Sequence, residues 1–190
     1  MTINSVYKVM AVSAFVSAFA FANAGDAIAA KKVKWKMQSA WSTSVPNAGE
    51  SGVRFVDSIN TMSGGKFKIK FFDPGALVPA LETFDACSKG SIESAWTTPG
   101  YHAGKYPGLS FMTTVPFGPA LSEFLSWKWF GGGNAIRDRV YATHDLYAVD
   151  AFSHGPETSG WFKKPITDLE QLKGMKMRFF GLGAMVMSKL

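Results

Sequence analysis

Cysteine is almost absent. Cys87 stands alone among 190 residues, so no internal disulfide can form and a stapled scaffold is excluded. Its phase with Leu81 and Phe84 on one side of a helical pattern marks a buried thiol, and nothing pairs it with a histidine as a nucleophile. Histidine is scarce too. His102, His144 and His154 show neither His-x-x-x-His spacing nor a cysteine partner, so no zinc motif is present. No Gly-x-Ser-x-Gly elbow occurs. Gly131-Gly132-Gly133 lacks the Lys-Ser/Thr of a phosphate loop, and Gly181-Leu182-Gly183-Ala184-Met185-Val186 lacks the third glycine of a dinucleotide fingerprint. The net charge is +6, yet the lysines are scattered, with only short pairs at Lys31-Lys32 and Lys163-Lys164. Without a basic helix or an arginine-rich arm, this balance does not read as a nucleic-acid surface.

Long apolar runs are also few. Val9 to Phe21 is one, preceded by Lys8 and followed by Ala22-Asn23-Ala24 and Ala27-Ile28-Ala29. It is short for a membrane span and has the charge, core and small-residue cleavage pattern of a signal peptide. Residues 1–30 are therefore expected to be removed near Ala24 or Ala29 and the rest exported. The other reading is an uncleaved anchor carrying an interaction module.

What remains is apolar and aromatic enough to fold. Over the whole chain hydrophobic residues make up 47% and charged residues 18%; of its sixteen Phe all but Phe15, Phe19 and Phe21 lie beyond residue 30, as do its six Trp, to fill a core or line a cleft. Strand-like and helix-like segments alternate. Val33 to Met37 reads as a strand. Ser42 to Asn47 carries turn and cap chemistry before a helix with Val53, Val56 and Ile59 on one face. Phe67 to Phe72 reads as a strand, Pro79 to Gly90 as a helix and Ile92 to Trp96 as a strand. Pro119 to Phe130 and Asn134 to Ala142 read as helices, with Asn134 as a cap. Leu146 to Phe152, Trp161-Phe162 and Lys176 to Phe179 read as further strands. Thr167-x-x-Glu170 opens a brief helix as a capping box, and a last helix starts at Gly181.

This alternation predicts an α/β fold with a largely parallel sheet. Ligands in such folds bind beyond the C-terminal ends of strands. Four loops become candidates: Gln38 to Ser44, Thr97 to Tyr101, His154 to Ser159 and Phe179 to Gly183. Arg178, in a run expected to be buried, is the most informative residue. A buried guanidinium needs a partner, either the carboxylate of a ligand gripped bidentately or an acidic side chain of the fold. Glu157 can pair with Arg178, bind a metal ion or face solvent. Trp41 and Tyr101 can wall a cleft or serve as ordinary core or surface aromatics.

From Val33 to Leu190 the chain resembles the solute-binding proteins of TRAP (tripartite ATP-independent periplasmic) transporters, in the branch that binds 2-oxo acids and related monocarboxylates. The carriers are FFDPGALVPALETFDACSKGSIESAW (Phe71 to Trp96), VPFGPA (Val115 to Ala120), GPETSGWFKKPI (Gly155 to Ile166) and LKGMKMRFFGLGAMVMSKL (Leu172 to Leu190). The resemblance implies a periplasmic-receptor fold of two lobes around a cleft, the first over residues 31–145 and the second beginning at 146–190. The family is longer, which implies that Leu190 is a truncation point within an incomplete second lobe. It further implies a non-enzymatic receptor that binds a small carboxylate and delivers it to membrane permease subunits, with room for a homodimer. Arg178 matches the family's carboxylate-gripping arginine. Glu157 matches a ligand- or cation-contacting position where glutamine is usual, so a sodium or calcium ion bridging to the ligand is an expectation. Tyr101 and Trp41 fall in cleft-facing loops of the family. The alternatives are a sugar acid or C4-dicarboxylate as ligand, or an exported enzyme with Glu157 as base.

Overall fold

The computed structural model describes residues 31–190 apart from 156, 157 and 159. The N-terminal run and its cleavage patterns, and Glu157, therefore lie outside the described residues. Val33–Leu190 forms one of two units of the chain.

Among the described residues three parallel strands make the sheet, β1 (Val33–Ser39), β2 (Phe67–Phe72) and β3 (Ser94–Trp96), in the order β2-β1-β3. Register runs from Val33 opposite Phe67 to Gln38 opposite Phe72, and from Met37 opposite Ser94 to Ser39 opposite Trp96. Helix α1 (Ala48–Met62) connects β1 to β2 and packs through Gly52, Phe55, Val56 and Ile59, one stripe at helical spacing. The core joins Met37, Val56, Ile69 and Trp96. Helix and sheet approach closely at Gly52, where a Cβ would lie 2.5 Å from the Phe71 ring. Asn60 then serves the sheet edge: its side chain accepts from Ile69 N at 2.7 Å and donates to Ile69 O at 3.0 Å. One amide side chain thus replaces a missing strand neighbour of β2.

Central strand β1 ends in three buried residues, Met37, Gln38 and Ser39. Gln38 is fully buried, and its amide is spent on backbone: Oε1 accepts from Leu77 N at 2.7 Å and Val78 N at 2.9 Å, while Nε2 donates to Val78 O. A buried amide so satisfied pins the loop after β2 and has little left for a ligand.

Helix α2 (Thr83–Ser88) follows a 3-10 turn at Ala80–Glu82. It buries Phe84, while Leu81 of the 3-10 turn is exposed; Cys87 is half-buried, and burial with Glu93 nearby pushes its thiol up to about 11. Such a thiol stays protonated and inert. Helices α3 (Leu121–Phe130) and α4 (Gly133–Ala142) form a hairpin through Gly131-Gly132. Gly132 has φ 87°, and a Cβ at Gly133 would stand 2.8 Å from Lys128 Cα, so this turn requires glycine twice. Helix α5 (Gly181–Met187) comes last.

Several expectations are corrected. Leu146 to Phe152, Trp161-Phe162 and Lys176 to Phe179 join no ladder. Alternating apolar residues favour a strand only where a neighbouring strand offers its edge, and among the described residues none does. The 146–152 segment is held by side chains instead. Asp150 accepts from Lys128 Nζ and, at 2.8 Å, from Arg137, which also holds Asp138. Lys128 is only 3% exposed, so Asp150 offsets a charge that would be costly alone. Caps shift too. Asn47 precedes α1 with φ 62° and no side-chain cap bond; its amide donates to Ser153 O at 3.2 Å. Gly132, not Asn134, caps α4. Asp168 caps the 3-10 turn Leu169–Leu172 through Glu170 N, while Thr167 pairs with Gln171.

Candidate functional site

Trp41 follows β1 by two residues, and its backbone N–H donates to Ser39 Oγ at 3.0 Å, turning the chain as the strand ends. Thr43 N donates to Asp73 Oδ1 at 2.8 Å, tying this loop to the turn after β2. The loop must also admit the start of α1: a Cβ at Gly49 would stand 2.0 Å from Ser42 O. Tyr101 closes a 3-10 turn (Pro99–Tyr101) just beyond β3.

These two loops meet. Trp41 Nε1 donates to Tyr101 Oη at 3.1 Å, and the ring centroids lie 5.6 Å apart. The phenol oxygen accepts the indole proton, so its own proton remains free to be donated. Phe152 packs edge-on to Trp41 at 5.6 Å and stacks on core Trp96 at 5.3 Å. His154 lies 6.0 Å from Trp41 and 5.1 Å from Phe152. From the far end of the chain, Phe180 sits 5.5 Å from Tyr101, with its ring against Gly100, where a Cβ would be 2.1 Å away. One aromatic or imidazole ring from each of the four candidate loops thus joins a single wall, built outward from Trp96.

Arg178 stands two residues before Phe180 in the chain. It is exposed, not buried, and lies in unpaired chain rather than a strand; among the described residues it has no ion-pair partner. A guanidinium keeps its charge, and without a ladder to enclose it, water is the better environment. Glu157 lies outside the described residues. Among the described residues no cluster of three His, Cys, Asp or Glu side chains could hold a metal ion. Two grooves lie elsewhere, of about 490 Å³ beside Lys105, Arg139 and His144 and about 380 Å³ beside Met175, Met177 and Met187; neither includes Trp41, Tyr101 or Arg178.

The sequence reading missed Phe152, His154 and Phe180 as wall residues. His154 and Phe180 were legible as members of the candidate loops. Phe152 was hidden inside an expected strand.

A family model for bacterial extracellular solute-binding proteins, family 7, matches residues 37–190. The chain belongs to that family. This family 7 protein is 40% identical over 159 residues to a monocarboxylate 2-oxoacid-binding periplasmic protein of Nostoc sp., an alignment covering 83% of this chain and 43% of the relative. It superposes with a TM-score of 0.79 on a TRAP periplasmic solute-binding protein of Colwellia psychrerythraea with bound calcium and pyruvate, at 32% identity over 84% of this chain and 48% of that one. The same TM-score relates it to the TRAP solute-binding protein of Pseudoalteromonas atlantica with bound sodium and pyruvate, at 30% identity and the same two coverages. The chain thus spans about half the length of the relatives it matches. The TRAP resemblance and the receptor-type α/β fold hold.

Proposed function

We propose that this family 7 protein is an exported receptor for a small carboxylate, a 2-oxo acid or related monocarboxylate, which it hands to the permease subunits of a TRAP transporter. Residues 31–145 are its first lobe and 146–190 the start of its second. The observation that carries the reading is the four-loop wall, with a phenolic proton on Tyr101 left to donate and Arg178, exposed and without an ion-pair partner among the described residues, two residues before Phe180. Relatives at this level of identity hold pyruvate with calcium or sodium, which supports the ligand class and a cation beside it.

The chemistry is binding alone. Arg178 presents a planar fork that matches a carboxylate bidentately. Tyr101 Oη donates to a ligand oxygen, and the Trp41 and Phe152 faces cover its apolar end. Glu157 adds negative charge at a position suited to a cation, which would neutralise it and bridge to the anion. Closure over the ligand excludes water and strengthens each ion pair.

Calorimetry with pyruvate, with and without calcium or sodium, tests the reading. Removing one partner of a desolvated pair costs about 2–5 kcal/mol, roughly 30-fold to several-thousand-fold in affinity. Arg178→Ala is therefore expected to abolish measurable binding, and Arg178→Lys to remain poor because an ammonium lacks the fork. Unchanged affinity in Arg178→Ala overturns the assignment. A panel of sugar acids and C4-dicarboxylates sets the specificity.

A further inference from the structure

His102 adjoins Tyr101 in sequence but points the other way, into the molecule. It is 4% exposed, against Phe84 with ring centroids 5.3 Å apart. Its Nε2 lies 3.1 Å from Thr97 Oγ1. Its backbone completes the same device. His102 N donates to Pro99 O at 3.0 Å, while its carbonyl accepts from Lys105 N at 3.1 Å and Tyr106 N at 2.9 Å. Through ring and backbone together His102 ties the segment Thr97–His102 back on itself, and that segment carries Tyr101 and the Gly100 seat of Phe180.

We propose that His102 is a positioning residue for the Tyr101 wall: its neutral imidazole, bonded to Thr97 and packed on Phe84, locks the Pro99–Tyr101 turn against Trp41, and proton uptake by the ring releases that wall. In the neutral ring we assign the proton to Nδ1, so that Nε2 accepts from the Thr97 hydroxyl. A second proton turns Nε2 into a donor, forces the Thr97 hydroxyl to reverse and places a charge in an enclosed aromatic pocket.

The groups facing the ring are few. Asp85 of α2 is the nearby anion, but its carboxylate already accepts from Lys105 at 2.7 Å and from the Tyr106 hydroxyl. Thr97 is neutral. His144 lies beyond Phe84 and Tyr106, 5.4 Å and 4.5 Å from those rings. Burial outweighs the pull of Asp85 and depresses the imidazole's proton affinity below that of free histidine.

The inference rests on the reading of Trp41 and Tyr101 as a ligand wall, and one measurement separates the two. In the full chain without ligand, the fluorescence difference between the wild type and Trp41→Phe is followed from about pH 7.5 to about pH 5, the range where histidine titrates. Pyruvate affinity is measured in parallel. We expect one transition in the Trp41 signal, accompanied by affinity at least about fivefold weaker in acid as the competent fraction falls. Both changes vanish in His102→Gln and persist in His154→Gln, whose ring also faces Trp41. At pH 7.5 His102→Phe, which keeps a ring but no hydrogen bond, weakens pyruvate binding more than about tenfold, and His102→Gln restores most of it. No transition in the wild type, a transition surviving in His102→Gln, its loss in His154→Gln, or wild-type affinity in His102→Phe each overturns the proposal. If the wild type ignores pyruvate while the His102-dependent Trp41 transition remains, the positioning role stands and the carboxylate reading falls.

Discussion

Two stretches of this protein carry similar apolar alternation and fold in different ways. Val33 to Trp96 forms paired strands whose inward side chains, Met37, Ile69 and Trp96, meet Val56 of α1. Leu146 to Phe180 contains comparable runs, yet Tyr147 and Val149 stay 77% and 68% exposed and no ladder forms among the described residues. The first stretch is held by backbone ladders and a shared core. The second is held where single side chains reach it: Asp150 by Lys128 and Arg137, Ser153 O by Asn47, Phe152 by Trp96 and Phe180 by Tyr101. A strand is a cooperative object that needs a partner edge; a side-chain anchor needs only one complementary group.

The sharpest way to break this contrast is to delete matched side chains. Ile69→Ala should cost about 2–5 kcal/mol in denaturant unfolding, the range for emptying a buried aliphatic site. Val149→Ala should stay within about 0.5 kcal/mol. Equal losses would show that both stretches share one core. Asp150→Ala should cost about 3 kcal/mol, the low end for stranding a buried cation, because Lys128 would be left unpaired. If its loss resembles that of Val149→Ala, side-chain anchoring is not what holds the second stretch.

Smaller effects refine the comparison. Trp41→Phe keeps the wall's ring but removes the indole donor to Tyr101, and should cost about 1 kcal/mol. Stability should also depend on pH. Burial lowers the His102 pKa in the fold, so below about pH 6.5 the unfolded chain binds more protons than the native one. Stability should therefore fall as pH drops from about 7 until His102 is protonated in the native state as well. Asp85, held down first by its hydrogen bond from Lys105 and then by that from Tyr106, acts in a lower window: its contribution is present above about pH 4 and lost as pH falls further. Thermal melts across this range check both. Smallest of all, Arg178→Ala should change stability by less than about 0.5 kcal/mol, since the side chain is exposed and unpaired among the described residues. A large loss there would mean the guanidinium has a structural partner.

The amino-acid sequence by itself determined the β-α-β start of this protein. Apolar residues at periods of two and 3.6 between Gly, Pro and Asp turns specify β1, α1, β2 and α2 locally, and parallel pairing follows from the connecting helix. It also marked the four loops whose rings now touch, although only the first two of them follow strands of the sheet. The tertiary structure alone decided the rest. Whether Leu146 to Phe152 or Lys176 to Phe179 pairs depends on a neighbour far along the chain. Whether Arg178 is buried depends on that pairing. That Gln38 is spent on the Val78 loop, and that His102 turns inward while Tyr101 turns toward Trp41, depends on which surfaces meet. Periodicity is a property of one segment, whereas burial, pairing and charge compensation belong to at least two.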